Sequence, residues 1–178
     1  TIADLIKYRI GNTLFVGGIV ALISIPLSLS LGLTAAMMPG SLIDRVITAT
    51  TLGLIAVPDF FVAIFLILIL AVGFGWFPSL SYLRGNEGFL KSLYVLTLPI
   101  FTLVLVVSAQ MTRMTRAGIL NVMSSPYIEM AILKGIPRRT IILRHALLNS
   151  IGPIINVIAL NLAYLVSGVV IMETIFSY

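Results

Sequence analysis

Residues 126–153 read Pro126-Tyr-Ile-Glu-Met-Ala-Ile-Leu-Lys-Gly-Ile-Pro-Arg-Arg-Thr-Ile-Ile-Leu-Arg-His-Ala-Leu-Leu-Asn-Ser-Ile-Gly-Pro153. The segment is polar, basic and helix-prone, with a Gly-Ile-Pro break at 135–137. On either side lie apolar runs, 92–112 and 146–172, that contain no Asp, Glu, Lys or Arg. A helix needs about 20 mostly apolar residues to cross a bilayer, and both runs suffice. A water-side element between two such spans marks where a membrane protein meets something in the cytoplasm.

The rest of the chain agrees with that solvent. Of 178 residues, 60% are hydrophobic and 10% charged, against about 25% charged in soluble domains. The mean hydropathy is +1.16, which leaves too little polar surface to coat a water-soluble globule. Two further runs, 10–43 and 60–83, are also free of charge. The composition predicts an all-α, polytopic transmembrane helical bundle. The net charge of +5 fits Lys and Arg collecting in cytoplasmic loops rather than nucleic-acid binding. With no cysteine, disulfides, thiolate catalysis and zinc–cysteine sites are excluded.

Walking outward, residues 1–11 mix Asp4, Lys7 and Arg9 with apolar residues, which suggests an interfacial helix leading into the bilayer. Thr1 in place of a methionine, and no signal-peptide pattern, suggest an excerpt of a longer protein. A first span is expected over Asn12 to Met38, containing Pro26, and a turn at Pro39-Gly40-Ser41. A second is expected over Val46 to Phe74, interrupted at Pro58-Asp59, with Trp76 and Tyr82 as interface anchors. Along a straight helix Asp59 would lie roughly 21 Å from Arg45, near mid-membrane or somewhat beyond. A third span is expected over Leu93 to Met111 and a fourth over Ile151 to Met172. With 112–150 cytoplasmic, that side holds seven cations (Arg45, Arg113, Arg116, Lys134, Arg138, Arg139, Arg144) against four opposite (Lys7, Arg9, Arg84, Lys91), the bias that sets orientation.

Within the decisive stretch, Pro126 suits the first helical position with Ser125 as its cap. Glu129 complements the helix dipole in the first turn. Gly135 is a natural C-terminal cap, and Pro137 starts a second helix carrying Arg138, Arg139 and Arg144 back to the membrane. A short helix bounded by corners projects as a rigid knob suited to a groove.

These residues resemble the inner-membrane permease subunits of binding-protein-dependent ABC importers. The family's cytoplasmic signature, Glu-Ala-Ala, three residues, then Gly, is matched by Glu129-Met130-Ala131 and Gly135. The dipeptide, oligopeptide and nickel branch is closer: its Tyr-Val-Arg-Thr-Ala-Arg-Ala-Lys-Gly stretch is similar to Tyr127 through Gly135, followed by Arg144-His145-Ala146-Leu147, Asn149 and Pro153. Asn12-Thr13-Leu14, Gly40-Ser41, Asp44-Arg45, Pro58, Gly75-Trp76-Phe77-Pro78, Leu98-Pro99, Thr112-Arg113 and Glu173-Thr174-Ile175-Phe176-Ser177 fall in the family's order. Met130 replaces the middle alanine, Asn121 and Pro126 stand where the branch has acidic residues, and Asp59 stands where a small polar residue is usual.

The resemblance implies a single permease domain over 1–178 of the type I (MetI-like) importer kind, lacking a first and a last helix, with a cytoplasmic coupling segment over 124–150. It implies a permease that carries peptides, or nickel-type small solutes, across the inner (cytoplasmic) membrane of a prokaryote. Its partners would be a second homologous permease in a heterodimer, two ATP-binding subunits and an external solute-binding protein. Tyr127, Glu129, Ala131, Lys134, Gly135, Arg138 and Arg139 would couple to the ATPase. The chain has no Gly-rich phosphate loop, so ATP and magnesium belong to the partner subunits and no cofactor is expected here.

Several residues keep two readings. Arg138, Arg139 and Arg144 either touch the ATPase or simply enforce topology and meet anionic lipid. Asp59 either faces a cavity, as intramembrane carboxylates tend to, or caps the turn after Pro58, the simpler use. Gln110, Asn156, Asn161, Tyr164 and Ser167 either line a polar path or make interhelical hydrogen bonds. Glu173 is expected at the outer interface, where a receptor could read it. His145 has no acid or thiol partner in sequence, so no metal or catalytic role is expected; Gly17, Gly18 and Gly168 are expected to permit close helix packing. A secondary transporter or channel using Asp59 would instead call for an inverted repeat and midplane ion ligands. An intramembrane enzyme would need a paired nucleophile and base or a metal motif, and none is present.

Overall fold

The computed structural model describes residues 2–81 and 88–176, with side chains from residue 10 onward except Phe89. Among the described residues there are helices and no strands. Tyr82, Arg84 and Ser177, and the side chains of Asp4, Lys7 and Arg9, lie outside that description.

Helix α1 spans Ile2–Met37. The expected interfacial helix over 1–11 is therefore not a separate element: its backbone runs into the first span without a break. Pro26 sits inside α1, and the hydroxyls of Ser28, Ser30 and Thr34 donate to carbonyls three or four residues back, the way a polar side chain is satisfied within an apolar helix. Gly40, with φ +77°, makes the turn. Ser41 then caps α2 (Leu42–Ala56): its Oγ accepts the N–H of Asp44 at 3.2 Å, while the Asp44 carboxylate accepts the N–H of Gly40 at 2.8 Å. This is a reciprocal arrangement of the capping-box kind.

The second span is not one straight helix. Pro58 adopts φ −59°, ψ 144°; with no N–H to continue the ladder and a ring that clashes with the preceding turn, it ends α2. The chain restarts as α3 (Asp59–Gly73), whose last part, Ile67–Gly73, is π-helical. The rise of a straight helix therefore does not measure the depth of Asp59. The third span is likewise divided, into α4 (Phe89–Val95) and a longer α5 (Thr97–Met123) that carries Arg113 and Arg116 as well.

After α6 (Pro126–Leu133), a single helix of 39 residues, α7 (Arg138–Phe176), includes a π-helical stretch at Ile141–Ala146. The second half of the expected coupling segment is thus the start of the fourth span. Among the described residues three helices are long and apolar enough to cross a membrane, and the spans number four if α2 and α3, bent by 102° at their break, together make one.

The chain divides into two compact units, one formed by Thr1–Ser24, Ala56–Val107 and Leu162–Tyr178, the other by Ile25–Ile55 and Ser108–Asn161. In the second, Ala36, Ile119, Ile142 and Ala146 are fully buried, with Leu33, Met37, Leu120, Val122 and Met123 packed on them. Gly32 allows the close approach of α1 and α5: a Cβ there would sit 2.8 Å from the Thr115 Cβ. Asp44 is buried and paired with Arg116 through two bonds, Nε to Oδ1 at 2.6 Å and Nη2 to Oδ2 at 2.9 Å. In the first unit, a Cβ on Gly17 would come 2.9 Å from Leu165, and one on Gly168 would come 3.2 Å from Leu103. Gly18 has open space beside it, so of the three glycines expected at close contacts, Gly17 and Gly168 make them.

Candidate functional site

The knob is built from its ends inward. Ser125 does not cap α6 through its side chain; its hydroxyl donates back to the Val122 carbonyl, and the Ser125 carbonyl receives the N–H groups of Ile128 and Glu129. Pro126 occupies the first helical turn, where its missing N–H leaves no intrahelical bond unmade. At the other end Gly135 has φ +75°. Its N–H donates to the Ile132 carbonyl at 2.9 Å, and the N–H of Ile136 donates to the Ala131 carbonyl at 3.2 Å. Those two bonds form a Schellman cap, and the left-handed conformation at its corner is one that glycine adopts without strain.

The anchor of α6 is Ile128, which is fully buried. The helix packs on the π-helical stretch of α7, whose Ile141, Ile142 and Ala146 are also buried. Burying Ile128 contributes about 1.5–3 kcal/mol. Asn149 adds a polar tie, its Nδ2 donating to the Tyr127 hydroxyl at 3.0 Å and to the His145 carbonyl at 2.8 Å. In the sequence Asn149 stood only as part of a pattern; its partner is 22 residues away.

Of the seven residues expected to couple, Tyr127, Glu129, Lys134, Gly135, Arg138 and Arg139 are exposed, while Ala131 is half-buried. Met130, Ile132 and Leu133 add apolar surface, Leu133 being 81% exposed. The knob therefore offers an apolar face edged by an acid at its start and cations at its end.

The polar side chains of the spans divide. Asp59 is the first residue of α3, and its carboxylate accepts the Tyr164 hydroxyl of α7 at 2.7 Å rather than a backbone N–H of its own helix. Asn156 and Ser167 are exposed and Gln110 is half-buried. Asn161 is buried, with its Nδ2 donating to the Val157 carbonyl at 2.9 Å within its own helix. Glu173 departs most from expectation. It is only 9% exposed, its Oε1 accepts the Thr13 hydroxyl at 2.8 Å, and it lines a cavity of about 650 Å³ with Thr13, Gly17, Gly18 and apolar residues of α1 and α7. An exposed interfacial acid open to a receptor is not what the fold presents. His145 is half-buried, and among the described residues no group of His, Asp or Glu could hold a metal.

Residues 28–178 match the family described as the binding-protein-dependent transport system inner membrane component. The oligopeptide transport system permease protein AppB of Bacillus subtilis is 31% identical over 99% of the chain and 57% of its own length. OppB, the oligopeptide transport system permease protein of Salmonella typhimurium, is 28% identical over 99% and 56%. GsiC, the glutathione transport system permease protein of Shigella flexneri, is 28% identical over 99% and 55%. The chain thus spans a little over half the length of these curated relatives.

Proposed function

The chain belongs to the family of inner-membrane components of binding-protein-dependent transport systems, and on that premise we propose that it is the permease part of an ATP-driven importer of peptides. The relatives named for oligopeptide and glutathione transport support that cargo class over a nickel-type solute. A self-sufficient secondary transporter or channel gains nothing from family membership.

In this reading α6 docks in a groove of an ATP-binding subunit, and closure of two such subunits moves the spans through α6. The observation that carries it is the construction of the knob. A helix held by Ile128, tied by Asn149 and stopped by the Gly135 cap transmits a push rather than bending under it. Its outward apolar surface at Met130 and Leu133 has the character of a buried interface centre, and Glu129, Lys134, Arg138 and Arg139 that of a polar rim. A second homologous permease and an external solute-binding protein complete the assembly, ATP and magnesium remaining with the ATPase subunits. Asp59 and Ser167 in the first unit, and separately Gln110, Asn156 and Asn161 in the second, are the polar residues proposed for the path; no receptor-side role is assigned to the buried Glu173.

The test is mild-detergent purification of the full-length protein from its own cells with mass spectrometry of what accompanies it. Recovery of ATP-binding subunits, lost when Glu129 and Gly135 are both changed, is the expected result. A solitary protein that moves solute in liposomes without ATP would overturn the proposal.

A further inference from the structure

Asp59 and Tyr164 belong to the same unit of the fold, on α3 and α7, and their bond of 2.7 Å joins side chains 105 residues apart. Both stay accessible, Asp59 half-buried and Tyr164 42% exposed. Among the described residues Asp59 has no cationic partner; the carboxylate that does is Asp44, held by Arg116. A carboxylate offers about four acceptor positions, and one neutral phenol uses one of them. Ionisable groups within membrane spans face the bundle interior or a water-filled cavity and find partners there. Ser167 lies three residues after Tyr164 on α7 and is also exposed, so the two share a helix face. Carboxylate, phenol and hydroxyl together are a poor match for hydrocarbon.

Resting on the importer reading above, we infer that Asp59, Tyr164 and Ser167 form a binding site for a primary ammonium group, the amino terminus of the transported peptide. An ammonium has three donors and no acceptor. Asp59 supplies the opposite charge, the Tyr164 oxygen supplies a neutral acceptor 2.7 Å from it, and Ser167, on the Tyr164 face of α7, offers a second. The Tyr164 hydroxyl, by donating to Asp59, holds the carboxylate and keeps its own lone pairs free to accept. A site of this kind takes solutes with a free amine and disfavours acidic ones, a preference set inside the permease and additional to that of an external receptor.

The experiment uses the complete transporter in proteoliposomes, with labelled trialanine as the probe and uptake normalised to assembled complex. Asp59→Asn removes the charge while its amide oxygen can still accept the Tyr164 hydroxyl, so the bond that joins the helices survives. Loss of a charge-assisted bond corresponds to about tenfold or more, and uptake is expected to fall by about tenfold. Asp59→Glu should restore most of it, and Tyr164→Phe should cost less than Asp59→Asn. Unchanged uptake in Asp59→Asn would overturn the inference. So would loss of the second permease from the purified Asp59→Asn complex, because the cation would then be a side chain of that subunit and not the solute. If the wild-type complex takes up no trialanine, the importer reading fails first and the inference falls with it.

Discussion

Gly135 and Gly32 should respond to substitution in opposite ways, and the difference tests the reading of the knob. Gly135 holds φ +75° and has no atom within 4 Å of where a Cβ would stand. The penalty for a side chain there is therefore conformational, about 1–2 kcal/mol for a residue with a Cβ in the left-handed region. Asparagine visits that region more readily than alanine, and β-branched valine least readily. The expected order of cap retention is Gly, Asn, Ala, Val, even though asparagine is the larger of the first two replacements. A loss of 1–2 kcal/mol corresponds to a factor of about 5–30 in the capped population. Pro adds the loss of the N–H that bonds Ile132 and forbids the conformation outright.

Hydrogen exchange at the amides of Lys134, Gly135 and Ile136 in the assembled transporter reads the cap directly, and solute moved per ATP hydrolysed reads its use. Exchange should quicken, and coupling weaken, in that order. At Gly32 the penalty is steric, because the Cβ would lie 2.8 Å from Thr115 Cβ and 3.1 Å from the Thr112 carbonyl. There even alanine should lower the melting temperature of the purified protein, and damage should follow volume, Ala before Asn and Val. If the Gly135 series also ranks by volume, with asparagine worse than alanine, the corner is not a left-handed cap and the lever argument fails.

Four further outcomes are expected. Arg116→Leu leaves the buried Asp44 carboxylate without its ion pair and should cost about 3–5 kcal/mol, seen as a large fall in melting temperature. Replacing Asp44 and Arg116 together by apolar residues should recover much of that loss. Ile128→Ala removes the anchor of α6 at about 2–5 kcal/mol, and should loosen α6 in hydrogen exchange before it affects the spans. Glu129→Arg leaves the fold intact, the residue being exposed, yet should separate ATP hydrolysis from uptake; normal substrate-stimulated hydrolysis with normal uptake would count against coupling through this face.

How much of this was legible in the sequence depended on the range of the interaction. The left-handed cap at Gly135 and the break at Pro58 could be read because both are decided by a few neighbouring residues. Ser125 shows the limit of that reasoning, since a serine before a helix can accept an N–H of the first turn or donate to a carbonyl behind it, and its hydroxyl donates to Val122. Where the spans begin and end was harder. Charge-free runs measure lipid compatibility, but a helix continues into water wherever nothing breaks it, so α5 runs on to Met123 and α7 starts at Arg138, well beyond the expected limits.

The polar residues of the spans were the least legible, and the reason is physical. On an apolar helix a lone polar side chain satisfies itself with whatever it meets, and pattern does not say what that is. Asp59 suited a cap by its place after Pro58, yet its bonded partner is Tyr164, 105 residues on. Glu173 lay near the end of an apolar run and suited an exposed interface, yet Thr13, 160 residues away, covers it. Asp44 stood in the sequence only as part of the Asp44-Arg45 pair, and Arg116, 72 residues away, clamps it. The three acids meet three different fates. One is neutralised by a guanidinium, one is buried with a hydroxyl beside a cavity, and one stays accessible with only a phenol. A single charged partner makes Asp44 structural. Among the described residues Asp59 has no such partner, and beside the exposed Tyr164 and Ser167 it is the carboxylate of the spans with binding capacity left to use.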